Sequence, residues 1–569
     1  MKNIIGVLIL FFLLPCCTDV LDKDNLEVFG GENVWTSETM TAAYLNNIYS
    51  SLMPGWPYNG SSSDEATDGD PGMNSFLKGI ATIDSRDNWQ YTVIDRINLF
   101  LSKIDKTPYS QEKINQFKGQ ALFWRAWTYF SMVKDYGGVP LILDVQDYTN
   151  PDALFVKRNK TSECFTQMVK DLDDAASMLP DAFSGADFGR IDKGTALAFK
   201  GRVLLFYASP LFNPSGDPAR WQTAYAATKA AKDFLESQGK GLLPSFKDIW
   251  SAERNKEVIM LNQFYKPDHY SDQAPIRPMF ITKDAWGANE AVLFLVNAFP
   301  MKDGSAFDPA RPLAYDTLFK YRDDRFYATI TFNGGVYNTP DFKSGEKIWT
   351  GYTSDGTSLL KVIHYEAGTP GRSGFWQVKG LDPSLDKTNV HYGTVDWIEI
   401  RFAEVLMNYG EAANETGKTS EALQVLYAIR QRAGILPGNG TNYGITANTV
   451  SDIREAYIKE RFVEFAFEGK RWNDLRRLRR FDILNNQQTR KAVVMWLKPG
   501  AQVPLITDNI YDSSVWSRFT PKIIDNIDNP YTFNVPDKYY FYGIPKTHLD
   551  KNVNLEQNKD WGGTFDPLQ

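Results

Sequence analysis

The chain has 569 residues, of which 43% are apolar and 23% charged, a composition that is typical of a folded globular protein and excludes a largely disordered one. Its length allows roughly two to four domains. The net charge of -7 and the pI near 5.4 lack the basic footprint of nucleic-acid-binding proteins, so we expect no nucleic-acid partner.

Residues 1–16 have the pattern of an export signal. A positive start precedes an apolar run at 4–14 that is too short to span a bilayer. Cys16 and Cys17 follow, as in the cleavage motif of bacterial lipoproteins. Cutting before Cys16 would place Pro15 at the scissile bond, so we expect Cys17 to be the lipidated first residue of the mature chain. The alternative is an ordinary cleaved signal with an incidental cysteine pair.

The residues after the cleavage point bear on the cellular location of the protein. Asp19, Asp22 and Asp24 resemble the acidic signal that sends some lipoproteins to the cell surface. No second apolar run approaches membrane-spanning length, so attachment would depend on the lipid anchor. Cys164 is the only cysteine beyond the leader, and the mature chain must therefore be stable without a disulfide.

Helical spacing of apolar residues dominates the first half of the mature chain. A loop rich in proline, glycine and serine at 54–63 interrupts it and carries Trp56 and Tyr58. The helix that precedes Gly137-Gly138 is expected to end there. The predicted helices cover 36–52, about 89–104, 112–136, 160–178, 193–207 and 219–238.

The pattern changes between about 242 and 395, where glycine, proline and short β-prone runs such as 257–261 and 326–332 dominate. A structureless loop of that length is implausible in a compact domain, so we expect an elaborated region of short strands and turns. Helices are predicted again at 397–416, 419–433 and 450–480. We expect a helical N-terminal part at 17–250 and a C-terminal part at 251–569, packed as one integrated globular unit.

One predicted helix pair has spacings like those of a tetratricopeptide repeat. The pattern indicates a first helix, then a tight glycine turn, then a small residue that lets the second helix pack closely. The residues that carry it are Leu406, Tyr409, Gly410, Gly417 and Ala422. Insertions break the period, so an uninterrupted solenoid is not expected. Generic helical hairpins are the alternative.

Five sequence blocks carry a resemblance to a known family. They read FWRAWTYF with YGGVPL at 123–141, KGTALA with GRV at 193–203, RFAEVL with EAANE at 401–415, EGKRWNDLR within 460–476, and GIP followed by an asparagine-rich run at 543–558. Together with the lipoprotein motif, and in this order over nearly the whole mature chain, they resemble the SusD/RagB family of surface lipoproteins.

The resemblance implies a mainly α SusD-like fold with four irregular tetratricopeptide-like helix pairs and the elaborated loop and short-strand region. It also implies capture of a glycan, or less often a peptide, at the outer surface of the outer membrane. The implied partner is a SusC-like TonB-dependent transporter, over which the lipoprotein closes as a lid. Ligand residues of such proteins lie on loops and vary with the substrate.

The charged residues of the fourth block are expected to be structural. Glu460, Arg461, Glu464, Glu468 and Arg471 recur at three- and four-residue spacing, so their side chains would meet along one helix. The arginine-rich run at 476–480 is predicted to be a solvated set of helix-end charges.

The sequence lacks the motifs of the common hydrolases. It contains four histidines and neither a His-Glu-x-x-His motif nor a Gly-x-Ser-x-Gly elbow. We therefore expect no catalytic residue, no metal site and no cofactor. Two alternatives stay open: a glycoside hydrolase, since paired carboxylates are defined only in three dimensions, and a repeat-based protein-interaction scaffold.

Aromatic residues in glycine- or proline-rich stretches are the candidate ligand contacts, because loops on a rigid scaffold concentrate binding residues. A stacking platform with hydrogen-bonding neighbours is predicted, with the alternative for each ring being a packing role. The candidate glycan-binding residues are Trp56, Tyr58, Trp286 and Trp376 as rings, with Asp64 and Arg372 as polar neighbours.

Overall fold

The computed structural model describes residues 31–68, 73–278, 287, 289–309, 318–342, 345–354, 359–362 and 373–569. The predicted leader and Cys17 lie outside the described residues. Helices dominate and the strands are short, so the prediction of a mainly α fold with an elaborated short-strand region is confirmed. Among the described residues, we find no helix with both the length and the apolar character needed to cross a membrane.

The helices are numbered in chain order. They are α1 (Glu38–Leu52), α2 (Tyr91–Ile104), α3 (Gln111–Tyr136), α4 (Pro151–Leu154), α5 (Thr161–Met178), α6 (Lys193–Ala208), α7 (Pro218–Ser237), α8 (Leu293–Ala298), α9 (Asp324–Thr329), α10 (Phe402–Glu415), α11 (Thr419–Arg432), α12 (Val450–Glu464), α13 (Arg471–Arg477), α14 (Asp482–Gln487), α15 (Ser513–Trp516) and α16 (Lys546–Lys551).

Local sequence explains the ends of the long helices. Ser110 caps α3 by accepting a hydrogen bond from the Lys113 amide, and Gly137 ends it with a φ of 79°, as the Gly137-Gly138 pair predicts. The helices then pack in pairs, α3 with α5, α6 with α7, and α10 with both α7 and α11. These pairs form the helical scaffold.

The strands form small sheets. They are β1 (Ala66–Thr67), β2 (Val258–Asn262), β3 (Glu290–Ala291), β4 (Ile330–Thr331), β5 (Gly335–Val336), β6 (Lys347–Ile348), β7 (Tyr352–Ser354), β8 (Leu359–Val362), β9 (Trp376–Gln377), β10 (Trp397–Arg401), β11 (Ala492–Leu497) and β12 (Phe519–Ile524). Their orders are β1-β3-β9-β4, β12-β11-β7-β8, β10-β2 and β5-β6. Among these strands of the described residues, β11 and β7 form the one parallel pair.

Three predicted elements differ from the structure. The first five residues of the predicted helix 397–416 form β10, which pairs antiparallel with β2. The predicted helix 450–480 is broken between α12 and α13, where Phe467 and Gly469 have φ values of 61° and 67°. The β-prone run 326–332 begins as the end of α9 and becomes a strand only at β4.

The largest apolar core draws on both halves of the chain. It includes Trp124 and Phe199 from α3 and α6 together with Met407 and Tyr457 from α10 and α12. A second core lies against the β12-β11-β7-β8 sheet. It contains Trp349 and apolar side chains of the neighbouring helices. The proposed boundary near 250 stays a prediction.

A buried ion network takes the place of the expected charge row along one helix. Because α12 ends at Glu464, the side chains of Glu464 and Glu468 meet instead at Arg401 of β10. Arg401 donates from Nη1 to Glu464 at 2.6 Å, from Nε to Glu468 at 2.9 Å and from Nη1 to Glu257 at 2.9 Å. Burial alone would raise the pKa of Glu464, but Arg432 and Arg401 hold it well below its usual range.

The prediction of solvated charges in the run 476–480 is wrong for its first two arginines. Arg476 and Arg477 are buried. Arg476 donates to Asp135 at 3.0 Å, and Arg477 donates to Asp474 at 2.7 Å and also pairs with Glu411. These guanidinium groups join α13 to α3 and α10.

Candidate functional site

Four tyrosines on the loop 54–59 and on segments of the elaborated region have partly exposed rings. Their exposed fractions are 40% to 55%, well above those of the core aromatics. We call them the tyrosine platform: Tyr58, Tyr265, Tyr270 and Tyr392. They come from the loop 54–59 and from two segments of the elaborated region.

Direct contacts link the segments that carry three of the four tyrosines. The Tyr270 and Tyr392 ring centroids are 4.9 Å apart with planes at 64°, an edge-to-face arrangement. The Tyr58 hydroxyl donates to the Asp272 carbonyl at 2.6 Å. His391 Nδ1 is 2.9 Å from Asp272 Oδ1, and this polar pair neighbours Tyr270 and Tyr392 along the chain.

Backbone pairing determines which side chains face outward. Ser271 and Gly393 exchange two hydrogen bonds, at 2.8 and 2.9 Å, in an isolated antiparallel bridge. Ser271 is buried, and because side chains alternate in extended backbone, Tyr270 and Asp272 lie on the opposite, outer side. The bridge thus presents Tyr270 beside Tyr392.

A hydrogen-bonded turn shapes the segment before Tyr392. The Asp386 carboxylate accepts hydrogen bonds from Thr388 and Asn389. The hydroxyl and amide of Thr388, with Asn389, lower the pKa of Asp386 to about 2, so the turn is held by an ionised group at neutral pH.

Tyr265 is placed by a second turn. The His269 amide donates to the Tyr265 carbonyl at 3.0 Å, and the two rings meet edge to face at 6.0 Å. The Phe264 amide donates to Asp396 Oδ1 at 2.8 Å. Burial raises the pKa of Asp396 to about 6. A buried carboxylate therefore anchors the base of this turn.

Trp56, expected as an exposed ring, is a core residue with 4% of its surface exposed. Its Nε1 donates to the Val395 carbonyl at 3.0 Å, and its ring meets Trp397 at 4.9 Å. A Cβ on Gly380 would lie 1.8 Å from the Trp56 ring, so the indole fills the space that this glycine leaves. Trp56 supports the platform from below and does not form its surface.

Asp64 and Trp376 are likewise buried, contrary to expectation. Asp64 accepts two hydrogen bonds from Arg471, which leaves it unable to serve a surface ligand. Trp376 lies in β9 and packs against Ile276, Ile348 and Leu381. Nearby glycines indicated a loop in the sequence, but here they make the turns that bring these side chains inward. Trp286 and Arg372 lie outside the described residues.

The sequence does contain a signal for the platform residues that the prediction omitted. Tyr270 and Tyr392 each follow a histidine, in His269-Tyr270 and His391-Tyr392, and both pairs lie among aspartate, asparagine, proline or glycine. Short polar segments that repeat an aromatic pair are good candidates for paired surface loops. Of the sequence-predicted residues that the structure describes, Tyr58 alone lies on the platform.

The arrangement is suited to binding. The rings supply apolar faces, and Asp272 and His391, which neighbour Tyr270 and Tyr392 in the chain, supply hydrogen-bonding groups. No hydroxyl or thiol of the described residues bonds to His391 Nε2, so the Asp272–His391 pair lacks a nucleophile there. Nor does the described part of the chain group three or more His, Cys, Asp or Glu side chains in a way that could hold a metal ion.

Comparisons with known proteins agree with this architecture. The SusD family model matches residues 256–561, and a second model, described as starch-binding associating with outer membrane, matches 62–205. A SusD-like protein P2 of Formosa agariphila is 24% identical over 510 residues, which cover 84% of this chain and 91% of that protein.

Solved structures show the same fold. A SusD-like protein from Bacteroides fragilis has a TM-score of 0.76 at 23% identity, covering 94% of this chain and 99% of that one. A SusD-like carbohydrate-binding protein from the same species has a TM-score of 0.67 at 23% identity, covering 92% and 100%. Since the SusD model alone matches more than half of the chain, this protein belongs to the SusD/RagB family.

Proposed function

We propose that this protein binds a glycan on the tyrosine platform at the bacterial cell surface. The observation that carries the proposal is the edge-to-face pair of Tyr270 and Tyr392 beside the Asp272–His391 pair, all reachable from solvent. The names of the starch-binding family model and of the carbohydrate-binding relative support the same ligand class. Those relatives are named as binding proteins, and we propose no catalytic role.

The physics of such a site suits capture and release. An aromatic ring packs against the apolar face of a sugar, while neighbouring polar groups set the orientation of its hydroxyls. Flexible sugars lose entropy, and their hydroxyls lose water, so the affinity of one site is modest. A protein that passes its ligand onward benefits from a Kd that allows rapid release.

We further propose that Cys17 carries the lipid anchor and that the protein is a lid for a SusC-like TonB-dependent transporter in the outer membrane. The lipoprotein motif supports the anchor, and family membership supports the partner. Replacing Cys17 by Ala should release the protein from membranes in cells that lack the transporter. A pull-down from gently solubilised outer membranes should recover a large β-barrel, and its absence would count against the lid.

The binding test compares platform and control tyrosines. A glycan array first identifies the ligand, and calorimetric titration then compares Tyr270→Ala and Tyr392→Ala with Tyr148→Ala, an exposed tyrosine in another loop. Loss of one stacking ring should weaken binding about ten- to a hundredfold, by analogy with 1–3 kcal/mol for base stacking. Tyr148→Ala should bind as the wild type does. Equal affinities for all four proteins would refute the platform.

A further inference from the structure

A cleft of about 250 Å³ lies between α3, α6, β10 and α13. Ligand pockets usually measure about 300–1,000 Å³, so this cleft is suited to a small ligand. Pro57 and Asn59 of the loop 54–59 also line it, whereas Tyr58 of that loop belongs to the tyrosine platform. The cleft and the platform are therefore separate surfaces on one loop.

Aromatic side chains form one wall of the cleft. On α3 and α6 they recur at helical spacing, which places them on one side of each helix. Trp127 is half-buried and its ring lies 4.7 Å from that of Phe199. We call this surface the aromatic wall: Trp127, Phe130, Phe199 and Phe206.

Four carboxylates also line the cleft, and all have cationic partners. Glu468 pairs with Arg401 and Asp474 with Arg461, each at 2.9 Å, and the other two are Glu399 and Glu404. Arg202 donates to Glu404 at 2.6 and 2.8 Å and to Glu399 at 2.7 Å. Lys470 Nζ lies 3.2 Å from an oxygen of each carboxylate. Burial alone would raise the pKa of Glu404, but Arg202 and Lys470 hold it well below its usual range. Glu399 and Glu404 are thus charged and compensated.

Lys134 adds a cation that these carboxylates do not bind. Its Nζ has no hydrogen-bond partner in the described ranges, and the closest carboxylate oxygen, on Asp135, is 3.9 Å away. Asp135 already accepts from Arg86 at 3.1 Å and Arg476 at 3.0 Å. Burial lowers the pKa of Lys134, which is 20% exposed, and so a bound anion would favour its charged form.

Neutral donors also line the cleft. Within the described segments, neither the Asn473 amide nor Trp127 Nε1 has a hydrogen-bond partner. Asn408 uses its Oδ1 to accept from Arg461 at 3.0 Å, which leaves its Nδ2 as a further donor. A ligand with several acceptor oxygens would match these groups.

We propose that this cleft binds one hexuronate unit, a pyranose ring that carries a carboxylate. The carboxylate pairs with Lys134, the C–H face of the ring packs on the aromatic wall, and the hydroxyls accept from Asn473 and Trp127. A neutral hexose would leave Lys134 without an anion, and acetate would leave the wall uncovered. The proposal is independent of the tyrosine platform, because the two sites share no side chain.

The test uses the soluble mature chain with D-glucuronate, D-glucose and acetate as probes. Saturation-transfer NMR and Trp fluorescence measure the binding of each probe. The wild type should prefer glucuronate over both glucose and acetate by about tenfold, the change that 1.4 kcal/mol produces. Lys134→Gln should abolish the preference over glucose. Trp127→Leu should weaken the binding of both sugars but keep the ratio of their affinities.

Lys170→Gln is the matched control. Lys170 is an exposed lysine on α5, where it pairs with Asp174 of the same helix. This control should leave the preference unchanged, as should Tyr270→Ala, which tests the platform alone. Equal binding of glucuronate and glucose, or no binding of either at millimolar concentrations, would overturn the proposal. The proposal would also be overturned if Lys134→Gln, shown by its thermal melt to be folded, still preferred glucuronate over glucose. Acetate that binds as tightly as glucuronate would overturn it too.

Discussion

Asp64 and Arg471 lie 407 residues apart in the chain and form a buried bidentate ion pair. Arg471 Nε and Nη2 donate to the two Asp64 oxygens, each at 2.8 Å, and the guanidinium lies 4.0 Å from the centre of the Phe462 ring. The pair fixes the loop before β1 against α13.

Asp64→Ala should therefore destabilise the protein by about 3–5 kcal/mol, because it leaves the Arg471 charge buried without its partner. The measurement is the free energy of unfolding by denaturant. Asp105→Ala is the control: Asp105 pairs with Lys118 at the surface, and its loss should cost no more than about 1 kcal/mol. Equal effects of the two changes would contradict a structural role for Asp64.

Trp56→Ala should lower stability by about 3–5 kcal/mol, since it leaves a cavity beside Trp397 and removes the bond to Val395. Thermal and denaturant melts provide the measurement. Gly380→Ala should also destabilise, because its Cβ would overlap the Trp56 ring. In the Trp56→Ala background that second change should cost less. Additive effects would show that the ring and the glycine are not in contact.

Tyr58→Phe keeps the ring but removes the hydrogen bond to the Asp272 carbonyl. Burial raises the pKa of Tyr58, so the hydroxyl is protonated and can donate at neutral pH. We expect a loss of about 0.5–1.5 kcal/mol in unfolding free energy. Calorimetric titration should show a smaller loss of glycan affinity for Tyr58→Phe than for Tyr58→Ala. The reverse order would mean that the ring does not contact the ligand.

Asp396→Asn should stabilise the protein increasingly as pH rises from about 4 to 7. The folded pKa of about 6 lies above the unfolded value of about 3.9, so the wild type loses stability as pH rises through this window. Asparagine lacks the charge and can still accept from the Phe264 amide. The difference in Tm between variant and wild type should therefore grow with pH. A constant or shrinking difference would contradict the burial of a charged Asp396.

How much the sequence could reveal depended on the range of the interactions. The helix end at Gly137 was predictable, because turns of this kind are local. The split of 397–416 was not, since β10 exists through its pairing with β2, which lies more than a hundred residues earlier. Arg476 and Arg477 looked solvated because their partners Asp135 and Glu411 come from other helices.

The candidate site was harder to predict for the same reason. Glycine and proline near Trp56 correctly indicated a loop, but a loop does not determine on which side a ring lies. The space left by Gly380 decides it for Trp56. Tyr58 was identified because its loop reaches the surface. Tyr270 and Tyr392 approach each other only through the Ser271–Gly393 bridge, which spans separate segments.

The bonds that place the platform are made largely by main-chain atoms. The carbonyls of Asp272 and Val395 and both peptide groups of the Ser271–Gly393 bridge are available whatever side chains occupy positions 270 and 392. Ring identity at these positions can therefore change without moving the segments that carry them. On the proposed binding surface, substitution at positions 270 and 392 would therefore change ligand preference while the helical scaffold stays constant.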